Sequence, residues 1–402
     1  MTPELNRVHL GDVLTTLRSW PDNFVQTVVT SPPYWGLRDY GTSKWEGGDP
    51  ACDHSRRTST KTDASTLGSR SGNSNHEKEG WKGGVCGRCG ARRTDLQIGL
   101  EGSPQEYVQK LVEVFLEVRR VLRPDGTLWL NLGDSYANGG GAGKQGQTGQ
   151  RAGRRHTQER LQGPKSGLGA KNLLGMPWRV AFALQEAGWT LRQRIVWAKG
   201  VSFRPDFSGS CMPESATDRP TTSCEEIFLL TKLPHYFYDA EAVSESGRIA
   251  AGVTAAKGSS GRAQKGVNGR PPKYWEYSGR RNLRSVWAIN PDPFPEAHFA
   301  TFPIEIPDTC IKAGTSEKGA CSVCGAPWVR ATKGWKPGCS HKKAPVRPCI
   351  VADPFTGAGT TFLAAARLRR DFVGVELNQE YCDMTDRRVK AELEQTKLGL
   401  VI

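Results

Sequence analysis

Cys349-Ile350-Val351-Ala352-Asp353-Pro354-Phe355-Thr356-Gly357-Ala358-Gly359-Thr360 is the stretch that decides the fold. An apolar run over Cys349–Ala352 predicts a buried strand, and it breaks into a loop carrying Gly357 and Gly359. A helix is expected over Thr361–Arg369, a strand over Phe372–Glu376 and a helix over Glu380–Glu394. Strand, glycine turn, helix and strand form a βαβ unit, which predicts a parallel sheet with a nucleotide-type crevice beyond its strand ends. The glycines let the backbone approach a ligand closely. Glu376, at the tip of the following strand, is placed to accept hydrogen bonds from ribose hydroxyls. The loop lacks the Gly-x-Gly-x-x-Gly spacing, and Asp353 leads it instead. A carboxylate there repels a pyrophosphate and attracts a cation, which favours a sulfonium such as S-adenosylmethionine over a dinucleotide.

Working outward, the N-terminal part repeats the α/β pattern. Arg7–Leu10 reads as a strand, Gly11-Asp12 as a turn, and a short helix passes through Leu14 and Leu17. Asp12 either caps that helix or lies beside a cofactor base. The apolar run Val25–Val29 ends at Thr30-Ser31-Pro32-Pro33-Tyr34-Trp35. Two prolines must end a strand, because proline fixes φ and cannot donate to the ladder. Such a tip suits accepting hydrogen bonds from an amino group while a ring stacks on a flat heterocycle. Apolar residues at helical spacing predict a helix over Gln105–Leu122, opened by Ser103-Pro104. The turn Arg123–Gly126 leads into a strand over Thr127–Leu132. Further elements are expected at Pro177–Ala187 (helix), Leu191–Trp197 and Glu225–Leu230 (strands), and from Ala300–Pro307 a helix to about Ala313.

The 402 residues predict two or three domains, and 37% hydrophobic content supplies a sizeable core. No apolar run approaches the ~18 residues of a membrane span, so no membrane partner is expected. The N-terminal Met1–Asn6 has neither a basic nor an apolar leader region, which predicts an intracellular, cytoplasmic protein. A net charge of +14 predicts a polyanionic partner, nucleic acid above all. Nothing in the chain signals an oligomeric state.

Eleven cysteines in a reducing compartment point to metal rather than disulfides. Cys52-x-His54 with Cys86-x-x-Cys89, and Cys321-x-x-Cys324 with Cys339-x-His341, each supply three thiolates and one imidazole. That is a structural Zn²⁺ set, so two zinc ions are expected. Cys211, Cys224, Cys310 and Cys382 read as core.

Asp353-Pro354-Phe355-x-Gly357-x-Gly359-Thr360 together with Thr30-Ser31-Pro32-Pro33-Tyr34 resembles the S-adenosylmethionine-dependent DNA amino-methyltransferases, which modify N4 of cytosine or N6 of adenine. The catalytic motif precedes the cofactor motif, the order of the circularly permuted β group. The resemblance implies a Rossmann-like methyltransferase with a mostly parallel central sheet and zinc-binding insertions. It implies that Asp353, Pro354, Phe355, Gly357 and Gly359 form the cofactor loop with Thr360 at its helix start. Glu376 would hold the ribose, Asp12 would contact the adenine amino group, and Thr30 would join the cofactor-binding set. Phe302-Pro303 would flank the methionine end. Ser31 and the Pro32 carbonyl, followed by Pro33, would accept from the target amine, and Tyr34 would stack on the base.

The implied partner is double-stranded DNA with its target base flipped out, and a cognate restriction endonuclease is a further candidate. Ser31 at the first motif position favours cytosine N4, with adenine N6 as the alternative. A zinc-stabilised DNA-binding protein without catalysis is a second reading, and RNA a third. Pro348-Cys349 matches the nucleophile of C5-cytosine enzymes in composition, but it precedes the cofactor motif and enters a buried strand, so a structural cysteine is expected.

The organisation expected is core over 1–40, a zinc insertion over 41–95, core over 96–136, and a basic loop over 137–172. Core resumes over 173–240, a target-recognition region fills 241–285, and core returns over 286–314. The second zinc insertion occupies 315–348 and the cofactor-binding part 349–402.

Overall fold

The computed structural model describes residues 2–36, 41–54, 84–137, 166–200, 214, 216–246, 254–255, 275–276, 279–292 and 301–397. Most of the basic loop expected over 137–172, much of the recognition region expected over 241–285, and Cys211 lie outside the described residues. The chain divides into two compact units, one of Met1–Arg38 with Ile98–Ile402 and one of Asp39–Gln97.

The larger unit is built on one eight-stranded sheet. Its strands, numbered in chain order, are β1 (Arg7–Leu10), β2 (Val25–Thr30), β3 (Leu122–Leu132), β4 (Thr190–Ala198), β5 (Cys224–Thr231), β6 (Val286–Ala288), β7 (Ile350–Asp353) and β8 (Asp371–Glu376). Their spatial order is β1-β8-β7-β2-β3-β5-β4-β6. All pairings are parallel except the two made by β5, which runs antiparallel to both β3 and β4. The mostly parallel α/β sheet is therefore as the sequence predicts.

Helices cover both faces. On one side lie α1 (Val13–Ser19), α2 (Pro104–Val121) and α3 (Met176–Glu186). Their apolar residues Leu17, Leu111, Phe115 and Leu184 pack with Val28, Leu128, Leu130, Phe228 and Leu230. On the other lie α4 (Glu305–Gly314) and α5 (Thr360–Arg367), joined by α6 (Gln379–Lys397). There Ile306, Ile311, Phe362 and Val389 pack with Val29, Trp129, Ile227 and Leu229. The period-2 alternation along β3 and β5 divides their side chains between the two faces. β2, at the middle of the sheet, is buried along its whole length.

Local chemistry explains the element ends. Ser103 accepts from the Glu106 N–H and Pro104 occupies the first turn of α2. The turn expected at Arg123–Gly126 lies inside β3. Between the pairs Val25↔Leu122 and Thr27↔Thr127, β2 advances two residues while β3 advances five, so residues 123–126 bulge out of the ladder.

Cys310 and Cys382 are buried, as expected, but Cys224 is exposed. It is the first residue of β5, and burial along that strand is complete only from Ile227 onward. Cys349 is fully buried just before β7, and burial pushes its thiol up to about 11. A thiol held protonated at the opposite strand end from the Asp353 loop is structural, not nucleophilic.

Candidate active site

From β7 the chain crosses to β8 on one side, whereas from β2 it proceeds to β3 on the other. The carboxyl ends of β2 and β7 therefore flank a topological switch point, where open α/β sheets bind their ligands. Ser31 follows β2 and Pro354 follows β7, so the two motifs diverge from adjacent strand tips.

One hydrogen bond ties them. Thr30 Oγ1 donates to Asp353 Oδ1 at 2.6 Å, across 323 residues of sequence. The same oxygen accepts from the Phe355 N–H at 3.0 Å, and Thr361 Oγ1 donates to Oδ2 at 2.8 Å. Asp353 is thus turned into the loop. Burial raises its carboxyl from 3.8 to about 6, against the pull of these three donors.

The Ser31–Tyr34 turn carries a second network. Ser31 Oγ donates to the Tyr34 hydroxyl (3.2 Å), which donates to Glu225 Oε2 (2.7 Å). Asn131 Nδ2 reaches Glu225 Oε2 (2.8 Å), the Tyr34 hydroxyl (2.9 Å) and Ser31 Oγ (3.4 Å). Since a carboxylate only accepts, Glu225 fixes the Asn131 amide with its nitrogen towards the network. Asn131 Oδ1 is then a buried acceptor with no partner among the described residues. Lys199 closes the system by pairing with Glu225 Oε1. Burial, reinforced by the Glu225 charge, holds the Tyr34 hydroxyl well above its ordinary pKa, so it stays a donor. Gly133 is required beside the ring, because a Cβ there would lie 2.6 Å from Tyr34 Cε2. Tyr107 donates to the Pro33 carbonyl at 2.9 Å. No donor among the described residues reaches the Pro32 carbonyl.

Along the crevice, Glu376 Oε2 accepts from the Gly357 N–H (2.8 Å) and Oε1 from the Asn378 N–H (2.9 Å). Burial raises its carboxyl. Gly359, at φ 77°, is the N-cap of α5 and Thr360 its first residue. Thr385 of α6 donates to the Gly357 carbonyl at 3.0 Å and braces the loop. Pro354 is buried and Phe355 packs against the α1–α3 face. Gly11 donates to the Glu376 carbonyl at 2.9 Å, bringing Asp12 to the same sheet end. Asp12 takes the capping role, its Oδ2 accepting from the Thr15 N–H and Oγ1, both at 2.8 Å. Phe302 packs on the α4–α5 face, and the Pro303 carbonyl accepts from the Ile306 N–H as α4 begins.

Asn131, Glu225 and Lys199 are site residues that sequence reasoning missed. Each is an ordinary polar residue at a strand end, and they converge only because β5 pairs antiparallel with β3 and β4. The polar residues Asn131 and Glu225, next to strongly apolar runs, were the available signal.

The cysteine and histidine sets each assemble. Cys52, His54, Cys86 and Cys89 lie together in the smaller unit, and Cys321, Cys324, Cys339 and His341 lie together in the larger one.

Residues 25–387 match the model of the N6/N4 methyltransferase family, described as "DNA methylase". The chain is 35% identical over 395 residues to the type II methyltransferase M.Cfr9I of Citrobacter freundii, covering 97% of this chain and 90% of that one. It is 33% identical over 386 residues to M.XycI of Xanthomonas campestris pv. cyanopsidis, covering 95% and 87%. Among solved structures, the cytosine-N4-specific PvuII DNA methyltransferase aligns over 98% of this chain and 93% of its own, with a TM-score of 0.48 and 15% identity. The chain belongs to the N6/N4 family of DNA methyltransferases and is an S-adenosylmethionine-dependent DNA methyltransferase.

Proposed function

We propose that the chain methylates the N4 amine of a cytosine flipped out of double-stranded DNA. The tip of β2 carries the choice of an exocyclic amine: Ser31 Oγ and the Pro32 carbonyl are acceptors on adjacent residues, and no donor among the described residues reaches that carbonyl. Acceptors paired in this way are satisfied by the two N–H groups of an amine, and C5 of cytosine has none. Ser31 at the head of the tip supports cytosine over adenine, as the family resemblance implies. S-adenosylmethionine, when bound, supplies the sulfonium methyl group. The residues present fit it: Asp353 places a carboxylate in the loop, and Glu376 and Asp12 share its sheet end for ribose and adenine, with Phe302-Pro303 at the methionine end.

An exocyclic amine is a poor nucleophile because its lone pair is delocalised into the ring. Ser31 Oγ and the Pro32 carbonyl would each accept one amine proton and hold the nitrogen pyramidal and in line. Once it had received the methyl group, the nitrogen would carry one proton too many. The donor order Ser31 Oγ to Tyr34 hydroxyl to Glu225 Oε2 gives that proton a path: Ser31 takes it, Tyr34 passes its own on, and Glu225 ends protonated. The Tyr34 ring offers the platform against which the extruded base rests.

The type II relatives support a cognate restriction endonuclease as partner, and work on DNA supports an intracellular location. Mass spectrometry of nucleosides from DNA treated with the protein and isotopically labelled cofactor tests the reading. Labelled N4-methylcytosine is expected. N6-methyladenine would replace the base assignment, and 5-methylcytosine would overturn the amine reading.

A further inference from the structure

The two Cys/His sets are built on one repeated device. In Cys86-Gly87-Arg88-Cys89-Gly90-Ala91 the Cys86 N–H donates to the Ala91 carbonyl (2.7 Å) and Gly90 N–H to the Cys86 carbonyl (2.8 Å). In Cys321-Ser322-Val323-Cys324-Gly325-Ala326 the Cys321 N–H donates to Ala326 and Gly325 N–H to Cys321, both at 2.8 Å. Gly90 and Gly325 turn the chain at φ 74° and 70°. This knuckle points both thiols of a Cys-x-x-Cys pair to one side.

The distances match an ion. Cys52 Sγ and Cys86 Sγ are 3.9 Å apart, and Cys89 Sγ is 3.5 Å from His54 Nδ1. A tetrahedral zinc with bonds of about 2.3 Å to sulfur and about 2.0 Å to nitrogen puts two sulfurs about 3.8 Å apart and sulfur about 3.5 Å from nitrogen. A disulfide would need about 2.05 Å. In both sets all four ligand atoms lie within 4.8 Å of one another. His54 is held in the left-handed region at φ 47°, its ring stacked on Trp45 at 4.5 Å. A non-glycine residue keeps that conformation where its surroundings impose it.

We infer that each set binds one zinc ion through three thiolates and one imidazole, Cys52, His54, Cys86 and Cys89 in the smaller unit and Cys321, Cys324, Cys339 and His341 in the larger. Four protein ligands leave no open position, so both ions are structural. The second site is tied into the sheet. Gln26 of β2 donates to the Gly325 carbonyl (2.9 Å) and accepts from the Ile350 N–H of β7 (2.5 Å), while Arg123 donates to the Cys324 carbonyl. Its metal therefore braces the start of the two strands whose far ends carry the active site.

Elemental analysis of the full chain, purified without added metal, tests this. Two zinc ions per folded chain are expected, falling to one in the double variant Cys86→Ser, Cys89→Ser. One ion or fewer in the folded wild type, or two in the variant, would overturn the pairing. The second site is read on the intact chain, without substitution, by exchanging zinc for cobalt. Intense visible bands of tetrahedral, thiolate-bound cobalt at two equivalents are expected. The weak spectrum of octahedral cobalt would overturn the ligand assignment.

Discussion

Tyr34 holds two duties in one side chain, a ring beside Gly133 and a hydroxyl between Ser31 and Glu225. Tyr34→Phe keeps the ring and breaks the path, leaving Glu225 and Asn131 short of a partner. A hydrogen bond to a charged group contributes about 1.5–3 kcal/mol, so kcat should fall roughly 10- to 100-fold with cofactor affinity unchanged. Isothermal titration beside steady-state kinetics separates the two, and a loss confined to cofactor binding would reassign the residue. Asp353 makes a different prediction. Its folded-state carboxyl, raised by burial to about 6 from 3.8, binds its proton more tightly than the unfolded chain does. The stability it contributes is complete below about pH 4 and lost as pH rises through about 6, an effect of about 3 kcal/mol. Asp353→Asn does not titrate, so its Tm should gain on the wild type as the pH rises across that window. A pH-independent difference between the two would contradict a buried, ionising Asp353.

At the scale of elements, the parallel pair β2 and β7 carries the two motifs and Thr30 joins their tips. Thr30→Val keeps shape and burial but removes the 2.6 Å bond to Asp353. Cofactor Kd should rise and kcat fall together, because the loop and the tip lose the same tie. Kinetics in which only one parameter moves would mean that the two loops act independently. The local chemistry of these elements was legible without the structure. Pro32-Pro33 had to end a strand, and a glycine loop between an apolar strand and a helix had to open a crevice. Asp12 stayed ambiguous because capping and ligand contact ask for the same residue type, and the capping bonds to Thr15 appear only in three dimensions. Cys224 departs from the core expectation because it opens its strand between polar residues, and packing starts only at Ile227.

Across the whole molecule, the α/β class and the mostly parallel sheet followed from repeated helix–strand units. The active-site network did not, since its polar members come from three strands far apart in sequence. Asn131, Glu225 and Lys199 meet Ser31 and Tyr34 only once β5 reverses direction between β3 and β4. No periodicity or spacing encodes that reversal. It places a carboxylate and its lysine partner behind the tip of β2, where a polar acceptor at the end of a donor chain is needed.

The measurement that tests the central claim most directly is the single-turnover rate of methyl transfer by Glu225→Gln, with the cofactor saturating and its Kd measured alongside. Removing a proton acceptor costs about 100-fold or more, so a fall of that size is predicted, with unchanged cofactor affinity and recovery in Glu225→Asp. A Glu225→Gln enzyme that transfers methyl at the wild-type rate would contradict the path from Ser31 through Tyr34 to Glu225.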